Sequence, residues 1–147
     1  MLEPANTDFR ARVQYATYDV TDRLRRGGNT LAVALGNGIS NVVSTADRYR
    51  KLYGNISDPK LVAQLEITLD DGTVRRITSG TDWRTTLGPT TSSNWYGGED
   101  YDARREIPGW DEPGRDRSTW PSAVALGRPG RAEEPAVLSA RETEPVR

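Results

Sequence analysis

From Leu61 to Leu69 the chain sets an apolar side chain at every second position: Leu61, Ala63, Leu65, Ile67 and Leu69, with Gln64, Glu66 and Thr68 between them. Successive strand side chains point to opposite faces, so this period of two predicts a strand with one face turned inward. Asp70-Asp71-Gly72 follows, where Gly accepts the positive φ of a tight turn, and Thr73–Thr78 reads as the returning strand. The segment is therefore predicted to be a β-hairpin.

The rest of the chain carries the same kind of signal in shorter pieces. Arg12–Tyr18 alternates as a half-buried strand, and Asp19–Asn29 offers Asp and Thr caps and a Gly pair that confine it to a short turn. Thr30–Leu35 reads as a second strand that stops at Gly36-Asn37-Gly38, and residues 39–59 lack periodicity and read as a long surface loop. Short strands are expected around 82–85, 101–105 and 122–125, between clusters of Gly, Pro and Ser. Many short strands with such punctuation predict an all-β chain, an antiparallel β-sandwich. Residues 1–126 form the expected sandwich. Residues 127–147, rich in Pro, Gly and Glu, read as a linker with one last strand at Ala136–Ala140.

At 147 residues, with 35% hydrophobic residues, four Trp and six Tyr, one domain core is the expectation. No Cys and no His are present, which removes disulfides, thiolate nucleophiles, Cys-ligated zinc and the commonest general base. A metal, if bound, would be a hard ion held by oxygen, such as calcium. The formal net charge is −1 with acids and bases interspersed, so no basic stripe points to nucleic acid. Arg48-Tyr49-Arg50-Lys51-Leu52-Tyr53 interleaves bases with aromatics but has no further basic surface to extend it, and reads as a solvated loop. No apolar run is long enough to cross a bilayer as a helix, and Met1–Asn6 has no signal-peptide character, which leaves localisation open.

Asn94–Arg104 crowds Glu99, Asp100 and Asp102 among Trp95, Tyr96 and Tyr101 beside Gly97-Gly98. Aromatic faces cover the C–H face of a pyranose, and carboxylates take sugar hydroxyls directly or through calcium. The structural alternative is that Asp102 pairs with Arg104 or Arg105, Glu99 satisfies backbone N–H groups at the glycine turn, and the aromatics fill the sandwich. Trp83, Trp110 and Trp120 pose the same choice between stacking platform and core edge. No carboxylate pair sits where one partner would be kept protonated, so no catalytic residue is nominated.

Arg12–Thr21 with Leu24, Gly28-Asn29 and Leu31-Ala32-Val33 resembles the jelly-roll domains that precede many glycoside hydrolase catalytic domains. Gly36-Asn37-Gly38 with Asn41-Val42-Val43 and Arg48-Tyr49, Pro59–Leu65 with Asp71-Gly72, and Tyr96–Arg104 leading to Pro108-Gly109-Trp110-Asp111 narrow the resemblance. In that order they are similar to the N-terminal domain of bacterial α-L-rhamnosidases. The resemblance implies a galactose-binding-like, jelly-roll β-sandwich that is not itself catalytic. It assists substrate recognition, in some members with calcium, while a separate helical barrel performs the inverting hydrolysis of terminal α-L-rhamnose.

Implied partners are L-rhamnose-containing glycosides and the catalytic and β-sandwich domains of the same polypeptide, with neither nucleic acid nor membrane. The candidate carbohydrate contacts are Asp8, Asn37, Trp95, Tyr96, Glu99 and Asp102, and the candidate calcium set is Glu99, Asp100 and Asp102. Two departures stand out. Ile39-Ser40 follows Gly36-Asn37-Gly38 where the family usually has an aromatic pair or Met-Tyr, and the family's first strands lie upstream of the position equivalent to Leu2. A sandwich without those strands would expose an edge.

Overall fold

The computed structural model describes residues 7–8, 10–39, 41–42, 47–48, 54–55, 58–94, 96–128, 130–131 and 134–142. The described residues form ten strands: β1 Arg12–Tyr15, β2 Asn41–Val42, β3 Gly54–Asn55, β4 Gln64–Thr68, β5 Val74–Thr78, β6 Thr90–Asn94, β7 Gly98–Tyr101, β8 Gly130–Arg131, β9 Glu134–Pro135 and β10 Val137–Ala140. Two 3-10 turns, Thr21–Arg23 and Ala103–Arg105, are the only helical pieces among them, so the fold is all-β as expected. The strands pair two by two. Four ladders are antiparallel, and β1–β10 is parallel.

Two compact units share these strands: Met1–Arg26 with Ala125–Arg147, and Gly27–Val124. In the first, β1 and β10 align Arg12 with Val137 through Tyr15 with Ala140. The ladder is extended by Val137 N–H donating to the Ala11 carbonyl and Arg141 N–H to the Tyr15 carbonyl, both at 2.9 Å. Arg12 reaches Glu142 at 3.0 Å, and the Arg141 guanidinium lies 5.7 Å from the Tyr18 ring centre. The strand expected at Ala136–Ala140 is thus β10, bonded to β1. The strand expected at Arg12–Tyr18 ends at Tyr15. Beyond it, the Asp19 carboxylate accepts the Thr21 N–H at 2.9 Å and starts the 3-10 turn.

In the second unit the expected hairpin is β4–β5, in the register Leu65 with Ile77, Glu66 with Arg76 and Ile67 with Arg75. Leu65, Ile67 and Ile77 therefore share one face, while Glu66 and Arg76 form an ion pair at 2.8 Å on the other. The turn closes through Gly72 N–H to the Leu69 carbonyl and Thr73 N–H to the Asp71 carboxylate, with Gly72 at φ +81°. The segments expected at 82–85 and 122–125 meet at one bridge, Arg84 with Ser122, flanked by Thr85 N–H to the Pro121 carbonyl and Ala123 N–H to the Trp83 carbonyl.

Three expectations need correction. Thr30–Leu35 alternates like a strand but is paired with nothing among the described residues, because a strand exists only where a second backbone supplies its ladder. The region read as an aperiodic loop contains the short ribbon β2–β3. The strand expected at 101–105 stops at Tyr101, since the Asp102 carboxylate accepts the Arg104 N–H and turns the chain into a 3-10 turn. Among the described residues Val42 is the one buried apolar side chain, next in sequence to the buried Asn41.

A Cβ at Gly72 would meet nothing within 4 Å, so replacing this residue tests backbone strain alone. Gly72→Ala is expected to lower stability by about 1 kcal/mol, read as a shift in the urea midpoint at unchanged slope.

Candidate functional site

The site begins at Asn94, the last residue of β6, which is only 5% exposed. Its side-chain oxygen accepts the backbone N–H of Tyr96 at 2.8 Å and of Gly97 at 3.0 Å, so one amide folds the turn between β6 and β7. Gly98, at φ +77°, supplies the left-handed residue that brings the chain back. The ladder then sets Ser93 opposite Glu99 and Asn94 opposite Gly98.

A second amide holds the hairpin from behind. Asn37 donates from Nδ2 to the Ser93 carbonyl at 3.0 Å and accepts at Oδ1 from Asn41 Nδ2 at 2.8 Å. Asn37 thus acts here as a brace between two backbone segments. Asn41 is 7% exposed, and its own Oδ1 is buried without a hydrogen-bond partner among the described residues. Arg48 closes the other side, donating to the Gly97 carbonyl at 3.2 Å and to the Asp100 carboxylate at 2.5 Å.

The three carboxylates expected to act together are separated by this geometry. Glu99 and Asp100 are adjacent on β7 and so leave opposite faces of the strand. Glu99 accepts from Ser93 Oγ at 3.4 Å, whereas Asp100 is taken by Arg48. Asp102 faces Arg104 through two bonds, 2.8 Å from Nε and 2.9 Å from Nη2, and has Arg105 Nε at 3.6 Å. The side-chain bond from Arg104 holds the Asp102 carboxyl below the usual carboxylate range; desolvation opposes it, and the Arg104 N–H and the charge of Arg105 add smaller lowering effects. Among the described residues no three acidic side chains gather as a metal-binding group. Glu99, Asp100 and Asp102 therefore do not fit calcium as arranged, because two of the three are already neutralised by guanidinium.

The remaining candidates are dispersed. Tyr96 stands at the hairpin turn, 41% exposed. Trp95 lies outside the described residues. Asp8 belongs to the other unit, where its carbonyl accepts the N–H groups of Ala11 and Arg12 and its carboxylate that of Arg10, a turn that leads into β1. Tyr101 donates its hydroxyl to Glu106 at 2.6 Å, which raises the phenol's pKa above its usual value. Of the tryptophans, Trp110 has its carbonyl gripped by Arg117 at 2.7 and 3.2 Å, and the Trp120 ring centre lies 6.0 Å from the same guanidinium.

Residue-type reasoning did not single out Arg48 as the partner of Asp100, for the two are 52 positions apart and no local pattern joins them. Asn94 did carry a local signal, an Asn three residues before a Gly pair, which is the composition of a side-chain-capped turn.

Comparison with known proteins decides the family. The model of the α-L-rhamnosidase N-terminal domain matches residues 1–147. The chain belongs to that family. An α-L-rhamnosidase of Streptomyces avermitilis is 49% identical over 121 residues, which cover 81% of this chain and 11% of that protein. One from Formosa agariphila is 33% identical over 127 residues, covering 86% of this chain and 14% of the relative. Among solved structures, the α-L-rhamnosidase from Dictyoglumus thermophilum superposes with a TM-score of 0.73 at 30% identity over 98% of this chain and 15% of its own. The Streptomyces avermitilis enzyme complexed with L-rhamnose gives 0.66 at 33% identity, over 93% and 13%. This α-L-rhamnosidase N-terminal domain thus spans a small fraction of the relatives it matches.

Because the folded pKa of Asp102 is depressed, its contribution to stability is present above the ordinary carboxylate range and is lost as pH falls through the lower folded value. Asp102→Asn, which keeps a capping oxygen, is expected to be less stable than the parent at neutral pH. The gap should close in acid, as followed by urea midpoints at the two pH values.

Proposed function

We propose that this chain serves an α-L-rhamnosidase as a non-catalytic domain that contributes carbohydrate contacts from the β6–β7 hairpin. The non-catalytic half rests on the state of the carboxylates. A glycosidase acid must be held protonated by a raised pKa. Among the described residues, each carboxyl with a resolved shift is shifted the other way: Asp19, Asp71 and Asp116 by bonds to turn N–H and hydroxyl groups, Asp102 by Arg104. The recess lined by Thr85, Thr86, Leu87 and Pro121 has no titratable side chain.

The sugar reading draws support from one hairpin, β6–β7, that carries an exposed aromatic and, three residues on, a carboxylate that no described guanidinium neutralises. Tyr96 supplies the ring and Glu99 the acceptor, and the Asn94 amide fixes the backbone between them. A pyranose needs just such a flat apolar face beside an acceptor for its hydroxyls. A second reading, a scaffold that buttresses the other domains of the same polypeptide and binds no sugar, draws support from the Arg48–Asp100 and Asp102–Arg104 pairs.

Titration calorimetry with L-rhamnose, with and without calcium, separates the two. The sugar reading expects heat from the parent chain that is independent of calcium and is lost in both Tyr96→Ala and Glu99→Gln. Absence of heat from a chain shown by circular dichroism to be folded leaves the scaffold reading. Release of p-nitrophenol from an aryl rhamnoside by this chain alone would overturn the non-catalytic assignment.

A further inference from the structure

Asn6 and Asn29 precede Thr, Asn41 precedes Val, Asn55 precedes Ile and Asn94 precedes Trp; of the asparagines, Asn37 alone precedes Gly. Glycine has no Cβ to crowd the approach of its own backbone nitrogen to the side-chain carbonyl carbon of the residue before it, so this pair is where an asparagine is most open to attack by the main chain. Gly38 is exposed and lies in neither helix nor strand, and its N–H donates to no described backbone group. No ladder ties up the attacking nitrogen.

The fold does not demand glycine here. Gly38 is not among the positive-φ glycines, and a Cβ built on it would meet nothing within 4 Å. Alanine fits this backbone, so the reactivity of the pair can be removed without disturbing the chain around it.

The side chain open to reaction is the brace of the β6–β7 hairpin. Asn37 Nδ2 donates to the Ser93 carbonyl at 3.0 Å, and Oδ1 accepts from Asn41 Nδ2 at 2.8 Å. While both bonds hold, the amide is fixed on the hairpin. A local opening that breaks them turns it over to Gly38.

We propose that Asn37-Gly38 is a self-modification site whose deamidation releases the β6–β7 hairpin from its brace. The Gly38 nitrogen gives up its proton to solvent and bonds to Asn37 Cγ. The Cγ–Nδ2 bond breaks, Nδ2 takes up a proton and leaves as ammonia, and a succinimide ring closes. Water then opens one ring carbonyl or the other, leaving aspartate or isoaspartate with no change of oxidation state. A carboxylate only accepts, so an oxygen replaces the Nδ2 that faced the Ser93 carbonyl and sets acceptor against acceptor. Isoaspartate also lengthens the main chain by a methylene. Ammonia is lost to solvent, so the change runs one way and the hairpin loosens as the molecule ages. The inference is independent of the sugar reading, and its test contains no sugar.

Incubation of the parent chain at mildly alkaline pH, followed by peptide mapping, is expected to show aspartate and isoaspartate at position 37 sooner than at any other asparagine. Gly38→Ala should lose this product while keeping the parent's urea midpoint. Aged chain, separated from fresh by its added negative charge on ion exchange, should exchange the amide hydrogens of β6–β7 faster, with those of β4–β5 unchanged. Asn37→Asp should reproduce that pattern without ageing. Asn37 intact after prolonged incubation, or Gly38→Ala reacting as fast as the parent, overturns the modification site. Unchanged β6–β7 exchange in the aged chain overturns the release. Should Asn37→Asp lose its circular dichroism signal, the aged parent decides alone.

Discussion

The candidate site hangs from a single buried amide. Asn94 takes two backbone N–H groups on one oxygen, and without that the chain between β6 and β7 would have unpaired donors at a turn whose next residue, Gly98, already needs a left-handed backbone. Everything positioned by the hairpin follows: Tyr96 at its tip, Glu99 facing Ser93, and Asp100 turned toward Arg48. Asn37 and Arg48 then hold the ribbon to the rest of its unit at the Ser93 and Gly97 carbonyls. A two-stranded ribbon is marginal by itself in water, and side-chain bonds to its backbone supply the restraint that a third strand would give.

This arrangement changes what the acidic cluster means. In sequence, Glu99, Asp100 and Asp102 look like one group because they are close along the chain. Strand alternation sends Glu99 and Asp100 apart, and arginines from two directions neutralise Asp100 and Asp102. Removing either arginine would leave a carboxylate with its bonds broken, so the charges serve order at the hairpin's base. Glu99 is left as the carboxylate of the three with no described guanidinium beside it.

How much of this could be read from residues alone depended on the range of the interaction. The β4–β5 hairpin was legible because period, turn glycine and capping aspartate all lie within Leu61–Thr78. The family was legible from ordered motifs spread over the chain. β6 was not, since Thr90-Thr91-Ser92-Ser93-Asn94 has no apolar alternation and becomes a strand only because β7 returns beside it. Asp102 misled in the opposite sense, for its neighbours alternate like a strand while its carboxylate caps a turn. Arg48 could not be matched to Asp100, because ion pairs between distant positions leave no periodic trace.

Thr30–Leu35 shows the same limit from the other side. Its alternation is as good as that of β4, yet β4 found a partner ten residues away and Thr30–Leu35 found none in the described structure. Periodicity reports which face of a strand wants cover; it says nothing about which backbone will provide the ladder. The exposed Leu31, Val33 and Leu35, together with Ile77 and Val74 on β5 and, among the described residues, a single buried valine, show apolar surface in excess of what these strands cover among themselves. Burial of that surface is the main favourable term still open to the domain.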